Sequence, residues 1–187
     1  MTSHRDAPNG RIALVTGGSG FVGGHLITCL LEAGWQVRGI GRSAGRRAAV
    51  SALGAECHEA DLSDPAALGL AMEGVDTVFH VAAHFRLWGP ERLFRAINVE
   101  GTRNVVDAAE RAGARRVVYV SAAGVVMGRP EPRRAVAEDL PLHRMGFAPY
   151  SASKAEAEEI LRAASGRREG FSTVAIRPPF VWGPDMH

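Results

Sequence analysis

The segment Thr16-Gly17-Gly18-Ser19-Gly20-Phe21-Val22-Gly23 constrains this chain more than any other stretch. It follows an apolar run, Ile12 to Val15. It precedes a stretch from Phe21 to Ala33 in which Phe21, Leu26, Leu30 and Ala33 recur at helical spacing, closed by Gly34. A strand that turns through Gly-x-x-Gly-x-x-Gly into a helix forms a cradle for a pyrophosphate. Gly17 permits the tight turn, Gly20 lets backbone approach the anion without a Cβ in the way, and Gly23 lets the helix pack closely on the sheet. The anion then meets unpaired N–H groups and the positive end of the helix dipole. The loop therefore predicts a dinucleotide, with Gly17, Gly20, Phe21, Val22 and Gly23 as its contacts.

The remainder of the chain alternates in the same rhythm. Strands are expected at Gln36 to Ile40, Ala55 to Glu59, Asp76 to Val81, Arg116 to Val120 and Ser172 to Ile176. Helices are expected at Ala44 to Leu53, after the Asp64-Pro65 start, at Glu91 to Ala112 and at Tyr150 to Ala164. Gly128 to Gly146, rich in proline and charge, reads as a loop longer than a connection needs, which places it near a site. Strands alternating with helices of this length predict an α/β fold, a Rossmann-type doubly wound parallel sheet. Residues 1–10 are expected to be a flexible N-terminus and 11–187 the dinucleotide-binding domain.

The formal net charge of +2 is too small to argue for nucleic acid, and no basic stripe interleaved with aromatics supports one. No apolar run reaches the length of a membrane span, and Met1 to Gly10 lacks the apolar segment of a secretory signal. Cys29 and Cys57 fall in separate elements and read as reduced core thiols, so a cytoplasmic protein is expected. No His/Cys/Asp spacing suggests a metal site.

Two further features bear on chemistry. NAD sites usually carry an acid at the end of the second strand, to accept hydrogen bonds from the ribose hydroxyls. Here that position is Gly41, followed by Arg42 with Arg46 and Arg47 close behind. An arginine there pairs with a 2′-phosphate, which favours NADP over NAD. Tyr150 and Lys154 lie four apart and share a helical face. A tyrosine is a poor base at neutral pH, and a nearby ammonium is expected to lower its pKa so that it exchanges a proton with a substrate hydroxyl or carbonyl.

With these motifs in hand, the chain resembles the extended short-chain dehydrogenase/reductase family, also called the NAD-dependent epimerase/dehydratase family. The resemblance runs from Ile12 to Pro184. It rests on the glycine loop, Asp61-Leu62, Val78-Phe79-His80-Val81-Ala82-Ala83, Asn98-Val99-Glu100-Gly101-Thr102, the Tyr150/Lys154 pair, and Arg177-Pro178-Pro179 with Gly183-Pro184. His80 to Trp88 resembles the branch with 3β-hydroxysteroid dehydrogenase-like, dihydroflavonol reductase-like and hopanoid-associated sugar epimerase-like members.

The resemblance implies hydride transfer at a secondary alcohol or ketone by an NAD(P)-dependent oxidoreductase or epimerase. Tyr150 would be the acid/base and Lys154 would bind the nicotinamide ribose. Asp61, Leu62, Ala82, Ala83 and Pro178 would join the cofactor contacts. The family's polarising hydroxyl usually stands second in a Ser/Thr pair after the fifth strand. That position holds Ala122 here, and Ser121 is the residue left to fill the role. The implied partners are a small alcohol or ketone, or a nucleotide sugar, and a second copy pairing through 91–112 and 150–164 as a homodimer. In the family over a hundred residues follow and build most of the substrate pocket. A chain ending at His187 is thus expected to bind cofactor and turn over poorly. The alternative is a non-catalytic NAD(P)-binding sensor or docking protein. His80 is expected to be packed and bonded to backbone, Asn98 to be a buried hydrogen-bonder, and Phe85 and Trp88 are candidates for an apolar substrate wall.

Overall fold

A computed structural model describes residues 10–127, 137–144 and 148–183. The expected N-terminus at 1–10, apart from Gly10, and most of the expected loop from Gly128 to Gly146 lie outside the described residues.

The strands β1 (Ile12–Thr16), β2 (Gln36–Gly41), β3 (Glu56–Glu59), β4 (Thr77–His80), β5 (Arg116–Val120) and β6 (Ser172–Ile176) form one parallel sheet in the order β3-β2-β1-β4-β5-β6. The helices between them are α1 (Phe21–Glu32), α2 (Ala44–Ser51), α3 (Pro65–Ala71), α4 (Glu91–Phe94), α5 (Gly101–Arg111) and α6 (Pro149–Ala164). The fold is the doubly wound one expected. Its strand order reverses between β1 and β4, the place where such sheets open a ligand crevice.

Alternation along β1 assigns the two faces. Ala13 and Val15 pack with Ile27, Val37 and Val50, and so with α1 and α2. Leu14 packs with Leu68, Val105 and Leu161, and so with α3, α5 and α6. A strand covered on both sides has no polar face, which is why β1 reads as an unbroken apolar run.

Local chemistry sets the ends. Gly34, at φ 81, closes α1, and Asp64 caps α3 by accepting from the N–H groups of Ala66 and Ala67, with Pro65 behind it. Two expectations change. The single helix expected from Glu91 to Ala112 carries a π-helical turn, Arg95–Glu100, between α4 and α5. Cys29 is exposed on the outer side of α1, while Cys57 is half-buried; neither is in a disulfide. Among the described residues no helix is long and apolar enough to cross a membrane.

Candidate functional site

The glycine loop leaves β1 beside the end of β4. Gly17 sits at φ 71, and a Cβ there would lie 2.8 Å from the Ala82 backbone. A Cβ on Gly23 would lie 2.2 Å from the Gly17 carbonyl oxygen, so loop and helix close on each other only without it. At Gly20 a Cβ would meet only Gly17 O, at 3.3 Å. The first turn of α1 has neither a side-chain cap nor an acid. Its leading amides are therefore left for an external acceptor, and an anion fits them.

A buried polar row braces this loop. The register of the sheet sets Thr16 beside His80 and His80 beside Tyr119, so all three project from one face at the ends of β1, β4 and β5. The Thr102 hydroxyl donates to Asn98 O at 2.6 Å, so it accepts from His80 Nε2–H at 2.9 Å. His80 Nδ1 is then the acceptor for the Thr16 hydroxyl at 2.8 Å. The Thr16 oxygen in turn accepts the N–H groups of Val81 and Ala82, each at 3.1 Å. His80 is thus a neutral imidazole, and burial, with help from the Lys154 charge, holds its pKa down to about 3. It is packed as expected, but its partners are two threonine hydroxyls and not backbone.

From this edge opens a cleft of about 690 Å³. Gly17, Arg42, Asp61, Leu62, Ala82 and Ala83, named from sequence as cofactor contacts, line it together with Ser19, Arg46 and Phe85. Gly20, Phe21, Val22, Gly23, Lys154 and Pro178, also named from sequence, do not line it. At Gly41 a Cβ would meet Arg47 Cγ at 3.0 Å and the Arg47 nitrogen at 3.1 Å. Any side chain at that position would require Arg47 to give by a few tenths of an ångström. Arg42 stands 4.0 Å from Asp61, and Arg46 donates to the Ser19 hydroxyl at 3.4 Å. The Ser63 hydroxyl and N–H, and more weakly Arg42, hold the Asp61 carboxyl below its usual range.

The Asn98 motif works through side chains that sequence did not connect. In the π turn, Asn98 Oδ1 accepts from His84 N at 2.7 Å, and its Nδ2 donates to His84 O at 3.3 Å and Ser153 Oγ at 2.9 Å. Ser153 donates onward to Tyr150 O at 2.7 Å. Asn98 is the buried hydrogen-bonder expected, and it ties the cleft wall to α6. On that wall the Phe85 ring meets the Tyr150 ring edge-on with centroids 5.0 Å apart. Trp88 is exposed and does not line the cleft.

Lys154 is 1% exposed. Its Nζ donates to Val120 O at 2.6 Å and lies 4.1 Å from the centre of the Tyr119 ring. Burial pulls its pKa down to about 7, against the opposing charge of Glu158. Here the structure corrects the sequence: the Tyr150 phenol is raised by burial and not lowered by Lys154, whose ammonium is committed to the end of β5. Ser121 is buried, and its hydroxyl has no partner among the described residues, while its N–H holds Ile176 O at 2.7 Å. Pro178 O accepts from Ala123 N at 2.9 Å, which fixes the segment after β6 over the end of β5. Sequence reading missed Glu158, which is 1% exposed and grips Arg177 through contacts of 3.0, 3.2 and 2.8 Å. Its only signal was an acid at helical spacing after Lys154.

A parallel sheet reversing between β1 and β4, with a glycine loop at the reversal and Tyr150 and Lys154 on the helix after β5, defines a Rossmann-type domain of the short-chain dehydrogenase/reductase kind. The chain belongs to the 3-beta hydroxysteroid dehydrogenase/isomerase family, whose model matches residues 14–187. It is 40% identical over 172 residues to the 4-hydroxy-2-methyl-3-oxo-4-farnesyl-3,4-dihydroquinoline-1-oxide ketoreductase of Stigmatella aurantiaca, covering 91% of this chain and 50% of that protein. Among solved structures it resembles a short-chain dehydrogenase/reductase superfamily protein from Agrobacterium tumefaciens with bound NAD. The TM-score is 0.73 and the identity 35%, over 89% of this chain and 48% of that one. It also resembles the UDP-Glc/GlcNAc 4-epimerase of Campylobacter jejuni, with TM-score 0.79 and 25% identity over 90% and 53% of the two chains. The chain thus spans about half the length of the relatives it matches.

Proposed function

We propose that this chain is the cofactor-binding part of an NAD(P)-dependent oxidoreductase that reduces a ketone to a secondary alcohol, with Tyr150 as the proton donor. The observation that carries the proposal is the contact between Tyr150 and Phe85, which sets a phenol held protonated by burial against the wall of the dinucleotide cleft. A protonated phenol in reach of the carbonyl can give its proton to a developing alkoxide, which is far more basic than a phenolate.

The nicotinamide, when bound, supplies the hydride. The amides at the start of α1 hold the pyrophosphate, and Gly17 and Gly23 keep the loop closed around it. Arg42 and Arg46, at the cleft mouth where Gly41 leaves no acid, favour the 2′-phosphate of NADP. Lys154 holds its ammonium at the end of β5, from where it would bear on the nicotinamide ribose of a bound cofactor. The unpaired hydroxyl of Ser121 is the donor available to polarise the carbonyl in the place where Ala122 offers none. The named activities of its relatives, a ketoreductase and a sugar epimerase, support the same redox chemistry at a secondary alcohol. Tyr150→Phe is expected to cut turnover of NADPH with a ketone panel by roughly 10²–10⁴-fold while NADPH affinity is unchanged. Undiminished turnover would remove Tyr150 from the mechanism.

One observation favours a non-catalytic dinucleotide sensor instead: the Lys154 ammonium is engaged by Val120 O and the Tyr119 ring. Tight NADPH binding without hydride transfer to any ketone would select that reading.

A further inference from the structure

Lys154 is the one lysine among the 22 Lys and Arg residues of the chain, and it occupies a position that is 1% exposed. A guanidinium is bulkier and holds its proton at any ordinary pH, whereas an ammonium is compact and responds to its surroundings. What surrounds it is therefore a functional question. From β4 comes neutral His80 and from β5 the Tyr119 ring and Val120 O. Tyr119 itself is held protonated, because burial pushes its phenol well above the ordinary value. On α6, Tyr150 precedes Lys154 by one turn and Glu158 follows it by one turn. Glu158 is the one acid of this set.

That acid is built in with care. A carboxylate 1% exposed is costly to bury unless it is paired and bonded. Arg177, leaving the end of β6, meets both its oxygens, and Arg162 approaches to 4.0 Å. Arg177 also donates to Glu138 O at 3.1 Å and is followed by Pro178, whose carbonyl is fixed to Ala123. The pair thus links α6 to the end of β6 and, through Pro178, to the segment after β5.

We infer that Glu158, clamped by Arg177, is a positioning residue that keeps the Lys154 ammonium charged and seated at the end of β5. The inference rests on the proposed role of Lys154. Arg177 orients the carboxylate, and that buried carboxylate, one helical turn from the buried Lys154, opposes the burial that favours the neutral amine.

The test observes Lys154 directly. In the full protein carrying isotope-labelled lysine, with Lys154→Arg to assign the signal, the Lys154 side-chain resonance is titrated by NMR. Glu158→Gln keeps the shape and removes the charge. Its Lys154 midpoint is expected to fall by about one pH unit or more. The alkaline limb of the kcat profile is expected to move down with it, while the KM for NADPH stays within about twofold. Glu158→Gln with Arg177→Gln removes the buried pair together. It carries the test where the single variant does not fold, with a smaller shift in the same direction. Coincident midpoints in wild type and variants overturn the inference, as does loss of folding in both variants, which would assign the pair to the fold alone. Absence of any turnover would sink the proposed reaction and leave the NMR result standing.

Discussion

His80 makes the stability of this domain depend on pH, and the sign follows from its burial. Its folded pKa is held down to about 3, against 6.5 for the free side chain. Between those values the unfolded chain binds a proton that the folded chain refuses, so stability rises with pH across that window. The contribution is fully present above about 6.5 and is lost as pH falls toward about 3. The full difference is on the order of 4–5 kcal/mol, a large share of the stability of a domain this size. Urea midpoints measured from about pH 7 down to about pH 4 are expected to fall steeply in the wild type. His80→Gln keeps one hydroxyl contact and has no proton to gain. It is expected to be less stable at neutral pH by roughly 1–3 kcal/mol and to show a flatter acid slope. A slope as steep as the wild type's would place the acid sensitivity elsewhere.

At the scale of elements, the π turn Arg95–Glu100 is where the helix stops being scaffold. The widened turn presents Asn98 to three partners on two neighbours: both backbone groups of His84 and the hydroxyl of Ser153. Asn98→Ala removes all three bonds and leaves the His84 amide unpaired in a part-buried site. The expected cost is about 2–4 kcal/mol. The loosening should be local, with hydrogen exchange rising at His84 to Arg86 and at the start of α6 while β1 and β2 keep their protection. Uniform exchange across the sheet would show that Asn98 does not clamp this wall.

The same element marks how far sequence reaches. The strands, α1 and the Asp64-Pro65 start were legible because period, cap and stop residues act within a few positions. The glycines of the loop were legible because their geometry is local too. The π turn was not, since one extra residue in a turn barely disturbs an apolar pattern read at 3.6 residues. The seating of Lys154 and the Glu158–Arg177 grip were not legible either. They join residues from α6 to the ends of β5 and β6, and a helical wheel shows that residues share a face without showing what the face meets.

For the molecule as a whole, the cleft lies across the reversal between β1 and β4, so a bound dinucleotide touches both halves of the sheet. Gly17, Arg42 and Asp61 come from one side, and Ala82, Phe85 and Ala96 from the other. A ligand gripping both halves stabilises the folded chain by mass action, about 2.7 kcal/mol at a hundredfold excess over Kd. The rim sets which dinucleotide does this better. Arg42 and Arg46 line the mouth, Asp61 already has the Ser63 hydroxyl and amide as partners, and Gly41 leaves no acid for a bare 2′-hydroxyl. At equal concentration NADPH is therefore expected to raise the melting temperature further than NADH. Arg42→Ala should lower NADPH affinity about tenfold and bring the two shifts together. Because Arg42 is exposed, the preference is electrostatic and screened, and it should shrink as salt rises toward about 1 M. Equal shifts for the two cofactors at low salt would return the ribose end of the site to NAD.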